Sequence, residues 1–212
     1  MLETANLIVL RKTPYKETSL IVSGISPDFG KLDLLARGER KLSKKHFPAF
    51  DLFREVQVSF SETGKSELHT VTDAELVKSF DQVALIPDNF QFAANVGSFL
   101  LKNSAPQLPS PLTYDAYRNI LENLCLVAQK QPAPWSIKQC SVIIKSTYLY
   151  ENGLLPEDFS SDNSRDQKFH ELLEAIIAAG NEGAPLPKCP ENYWPHLDKW
   201  LNSIIKYHQL QL

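Results

Sequence analysis

The stretch Lys31-Leu32-Asp33-Leu34-Leu35-Ala36-Arg37 alternates: Leu32, Leu34 and Ala36 make one apolar face, while Lys31, Asp33 and Arg37 make the other charged. A period of two is that of a half-buried strand. Upstream, Pro27-Asp28-Phe29-Gly30 supplies a tight reversal, and before it stand Thr18 to Ser26 and Asn6 to Thr13, the latter ended by Pro14. Downstream, Leu52 to Phe60 sets Val56, Val58 and Phe60 against Glu55, Gln57 and Ser59. A Glu62-Thr63-Gly64-Lys65 turn then leads into Glu67 to Thr72. Five short strands in so small a span predict a closed barrel, and the five-stranded OB-fold is the nucleic-acid-binding example.

After Asp73 the apolar period becomes helical. The stripes are Phe92, Val96, Phe99, Leu100; Tyr117, Ile120, Leu121, Leu124; Ile137, Cys140, Ile144, Tyr148; Phe169, Leu172, Leu173, Ile176; and Leu197, Trp200, Leu201, Ile204, Ile205. Proline clusters at 106–111, 132–134 and 185–190 separate them. The expected class is α+β by domain: an OB barrel over residues 1–78 that binds nucleic acid, and an all-α domain over 79–212 that binds partners. The acidic, serine-rich Gly153 to Arg165 segment is expected to be an exposed loop.

With 212 residues, 43% of them hydrophobic, the chain has enough apolar surface for a substantial core. No stretch reaches the roughly 20 apolar residues of a membrane helix, and Met1 to Lys12 lacks an export leader. The three cysteines, Cys125, Cys140 and Cys189, suit no disulfide framework. A cytoplasmic location follows as the expectation. Net charge is −3, but residues 1–54 carry ten Lys/Arg against six Asp/Glu, so +4 at the front faces −7 in the remainder. That asymmetry fits a front domain that meets a polyanion.

The run Arg37-Gly38-Glu39-Arg40-Lys41-Leu42-Ser43-Lys44-Lys45 carries five positive charges and one negative, directly after a strand showing Lys31 and Arg37. Such a loop beside a cationic sheet face can track a phosphate backbone, with Phe29, Phe47 and Phe50 near enough in sequence to stack on bases or to fill the core. Ser61-Glu62-Thr63-Gly64-Lys65-Ser66 ends like a phosphate-binding loop, but Ser59 stands where the first glycine is required and a strand follows, so nucleotide hydrolysis is rejected. No Cys-x-x-Cys or His-x-x-x-His pair offers a metal site, and neither the cysteines nor the five histidines form a catalytic constellation. The chain is thus expected to be no enzyme and to carry no cofactor. Lys138 and Lys145, seven apart on the third helix, could receive an acidic peptide.

A family pattern emerges from Leu7-Ile8-Val9-Leu10-Arg11-Lys12-Thr13-Pro14-Tyr15-Lys16-Glu17-Thr18-Ser19-Leu20-Ile21-Val22, then Phe29-Gly30-Lys31-Leu32 and Leu35-Ala36-Arg37-Gly38-Glu39-Arg40-Lys41. In order and spacing these resemble the N-terminal OB domain of RecO, the bacterial recombination mediator. The resemblance implies a DNA-repair protein that binds single- and double-stranded DNA, anneals complementary strands, joins RecR, and helps RecA displace single-stranded DNA-binding protein. It also implies recruitment by the acidic C-terminal tail of that binding protein and a nucleoid-associated place in a bacterial cytoplasm. Carried onto this sequence, the DNA contacts are Lys31, Arg37, Arg40, Lys41, Lys44 and Lys45, with Arg11 and Lys12 beside them. Lys138 and Lys145 take the tail by charge and position alone. The four-cysteine zinc module of many members has no counterpart in the cysteine-free Gly153 to Arg165 segment, so a zinc-less member is expected. The alternatives are an adaptor between RecR and the tail with little DNA affinity, and an RNA-binding OB protein.

Overall fold

The computed structural model describes residues 2–38, 49–61, 67–156 and 164–211. Five strands come first: β1 (Leu2–Tyr15), β2 (Ser19–Ser26), β3 (Gly30–Ala36), β4 (Arg54–Ser61) and β5 (Leu68–Ser79). They close into a barrel in the order β1-β2-β3-β5-β4, with β3 and β5 parallel and the other pairs antiparallel. This is the expected OB arrangement. Its interior is filled by alternate residues, among them Leu7, Val9, Val22, Leu34, Val58 and Phe60.

Two strands outrun their expected limits. Pro14 does not end β1; it pairs with Leu20 at the turn end of the β1–β2 hairpin, where its missing N–H costs little. β5 runs through Ser79 instead of stopping at Thr72, because residues 73–79 pair with Arg54–Ser59 of β4 across one register shift, a second falling between Ser59 and Phe60. Asp73-Ala74-Glu75-Leu76-Val77-Lys78 holds helix-favouring residues, yet the ladder decides its conformation and leaves Leu76 and Val77 exposed.

A short 3₁₀ turn (Asp81–Leu85) and α1 (Pro87–Asn103) follow, then α2 (Pro111–Ala128), α3 (Ile137–Glu151), α4 (Ser164–Glu182) and α5 (Tyr193–Tyr207). Contacts divide the chain into two compact units, Met1–Tyr114 and Asp115–Leu212. The first unit therefore includes α1, whereas the boundary expected from the sequence falls after residue 78. Within that unit the segment before α2 straps the β2–β3 turn: Gln107 N–H donates to Phe29 O at 2.9 Å and Ser110 N–H to Pro27 O at 2.9 Å. Gly30 is required there. Its φ is +59°, and a Cβ would run into the carbonyl oxygens of Leu108 and Ala105.

In the second unit α3 is buried on several sides through Cys140, Val142, Ile143, Ile144, Thr147, Tyr148 and Leu149, while Ile137 of the expected stripe is exposed at 38%. Its N-terminus is closed by a capping box between Ser136 and Gln139. Asn123 holds Trp135 through both its amide atoms at 3.0 Å, and the Trp135 indole N–H donates to Ala184 O at 3.0 Å. Among the described residues no helix is long and apolar enough to cross a membrane.

Candidate nucleic-acid interface

A bulge in β1 decides what the barrel shows outside. Val9 pairs with Gly24, but the next pair is Arg11 with Ser23, so Leu10 is an extra residue. In unbroken register Arg11 would stand opposite Val22, a core residue; the bulge instead aligns it with Ser23. Ser23 in turn pairs with Asp33 of β3, making one row of three side chains across three strands.

The row is hydrogen-bonded along its length. The Ser23 hydroxyl donates to Asp33 Oδ1, and an Arg11 guanidinium nitrogen lies 3.5 Å from the Ser23 hydroxyl. Lys31 Nζ stands 3.5 Å from the other carboxylate oxygen of Asp33. Arg11, Ser23 and Asp33 line an open groove of about 540 Å³ together with Thr13, Ile21, Glu67 and Leu68. Apolar and hydroxyl surface forms much of its wall, and Arg11 is opposed there by Asp33 and Glu67. The groove interior is thus not a cationic channel. Arg37, in the turn one residue beyond β3, is exposed.

The expected DNA contacts fall into three groups. Arg11 lies on the outer face of the barrel, and Arg37 is exposed in the turn after β3. Lys31 is half-buried and paired with Asp33, and Lys12 is turned to the rim, where its ammonium meets Asp51 at 2.6 Å and Phe50 O at 3.5 Å. Burial works against charge on Asp51, but the Lys12 bond and the Leu52 N–H prevail and hold its carboxyl below the ordinary value. Lys12 thus ties the end of the β3–β4 connection to β1. Arg40, Lys41, Lys44 and Lys45 lie outside the described residues, as does Phe47. Phe50 is buried in the barrel core, and Phe29 packs on that core with its ring edge-on to Phe60 at 5.5 Å. Both therefore fill the barrel.

In the helical unit Lys138 is exposed, but Lys145 bonds Asp198 of α5 at 2.7 Å. Asp198 also accepts from the Ser141 hydroxyl at 2.8 Å and the Asn202 amide at 3.1 Å. The two lysines expected to act together thus have different surroundings. Burial pushes the Cys140 thiol up to about 12, which leaves it an inert core group. Among the described residues no group of three or more His, Cys, Asp or Glu is placed to hold a metal. Ser23, Asp33 and Glu67 were not singled out as site residues from sequence; only the register of β1, β2 and β3 gathers them, and nothing in Leu10-Arg11-Lys12 announces a bulge.

Fold and site together define a small closed β-barrel of OB topology with a lined outer groove, followed by helices. Residues 1–80 match the family model described as Recombination protein O N terminal. Over 119 residues the chain is 34% identical to the DNA repair protein RecO of Polynucleobacter necessarius, covering 55% of this chain and 47% of that protein. It is 31% identical over 116 residues to that of Burkholderia pseudomallei, covering 55% and 41%, and 27% identical over 123 residues to that of Listeria monocytogenes, covering 58% and 48%. The matches span about half the length of these curated relatives. The chain is thus similar to RecO proteins, over its first 80 residues in the family match and over about 120 in the relatives, in line with the pattern read in its first 41 residues.

Proposed function

We propose that this chain is a recombination mediator in DNA repair, with the barrel as its DNA-binding part and the helical part as its partner-binding part. The observation that carries the reading is the match of residues 1–80 to the RecO N-terminal domain, on a barrel that exposes Arg11 and Arg37, with the cationic 39–45 run following Arg37 in sequence. In this reading single- and double-stranded DNA bind through phosphate contacts, two strands are held with little mutual repulsion, and annealing is accelerated without a chemical step. RecR, the acidic tail of single-stranded DNA-binding protein, and RecA through displacement of that protein are the partners. Lys138 is the stronger choice for the tail, because Lys145 already has Asp198. The place of action is the bacterial cytoplasm, at the nucleoid.

The test is charge reversal of Arg40, Lys41, Lys44 and Lys45 together, assayed by annealing of complementary oligonucleotides. Annealing should fall at least tenfold while the protein stays folded. Full activity in the reversed protein would contradict the reading. One observation favours an adaptor instead: Lys12 and Lys31 are engaged with Asp51 and Asp33. An adaptor would capture RecR and the tail peptide and would leave annealing indifferent to the reversal.

A further inference from the structure

The outer groove sets two carboxylates, Asp33 and Glu67, beside one cation, Arg11, where a phosphate-tracking channel would carry mostly cations. Asp33 lies in its floor and Glu67, which is exposed, at its edge, beside the hydroxyls of Thr13 and Ser23 and the apolar side chains of Ile21 and Leu68. The two carboxylates disfavour a phosphate beside them and leave Arg11 for the backbone, whereas a base finds apolar area to lie on and acceptors for its N–H groups. The volume of about 540 Å³ falls within the roughly 300–1,000 Å³ of clefts that take small organic groups. The Ser23 hydroxyl donates a hydrogen bond to Asp33, fixing that carboxylate in place, and Arg11 caps the same row.

We infer that the Asp33–Glu67 groove reads bases, favouring single strands whose bases carry an exocyclic amine, cytosine above all, over thymine. An Asp or Glu carboxylate accepts from the cytosine amine, whereas the matching position in thymine is a carbonyl that the carboxylate repels. This rests on the reading of the barrel face as a single-strand interface and adds a preference to it.

The experiment measures binding of the full chain at low salt to oligo(dC), oligo(dT) and oligo(deoxyzebularine), whose base is cytosine stripped of its exocyclic amine. The expected result is about fivefold or tighter binding to oligo(dC) than to either of the others. Two variants follow, Glu67→Ala at an exposed position and the near-isosteric Asp33→Asn. Both should bind all three strands more tightly, as negative charge is removed, while the preference shrinks toward unity. Equal binding of the three strands by the unaltered protein, or a preference unchanged in both variants, would overturn the inference and leave single-strand binding standing. No binding to any strand at low salt would overturn both.

Discussion

Arg11 owes its outward aim to one extra residue, Leu10, and the Ser23–Asp33 pair beside it owes its position to two turns. At this scale backbone freedom decides as much as side-chain chemistry. Gly30 sits at φ +59° under the carbonyls of Leu108 and Ala105, so Gly30→Ala should cost at least about 2 kcal/mol, from the left-handed backbone and the close approach together. Gly153 provides the contrast: it ends α3 at φ +64°, but no atom of the described residues lies within 4 Å of where its Cβ would be. Gly153→Ala should cost only about 1 kcal/mol. Urea denaturation checks both through the midpoint at unchanged slope. Equal costs would mean that the strap over the β2–β3 turn does not bear on Gly30.

Among elements, the strands were legible where one face is buried and the other wet. Lys31 to Arg37 and Leu52 to Phe60 alternate in sequence and appear as β3 and β4. The second half of β5 was not legible, because Asp73 to Lys78 gains its extended form from pairing with a strand far back in sequence and exposes apolar residues on the way. The groove was hidden for a related reason: Arg11, Ser23, Asp33 and Glu67 are gathered by register, which a single chain read in order does not display. Similarly, the amphipathic pattern of α3 reveals a helix but not that α5 answers Lys145 with Asp198. That clamp predicts unequal effects from two similar changes. Lys145→Ala should destabilise the protein by about 1 kcal/mol or more, since it strips a partly buried carboxylate of its cation. Lys138→Ala, at an exposed position, should fall within about 0.5 kcal/mol of the parent. Urea midpoints measure both, and equal shifts would deny the Lys145–Asp198 pair a structural role.

For the whole molecule, the balance of charge sets what the barrel can do. Residues 1–54 carry +4 and the rest −7, yet within the described part of the barrel Lys12 and Lys31 are paired with acids. On the proposed reading Arg11, Arg37 and the run from Arg40 to Lys45 supply the attraction for a polyanion, and phosphate contacts that release counterions should weaken as salt rises. The most direct measurement is the affinity of the full chain for a fluorescent single-stranded oligonucleotide over a series of salt concentrations. Neutralisation of four or five phosphates predicts a slope of log affinity against log salt of roughly −3 to −3.5, from about −0.7 per phosphate. A slope near zero, or no binding at low salt, would contradict the DNA-binding account.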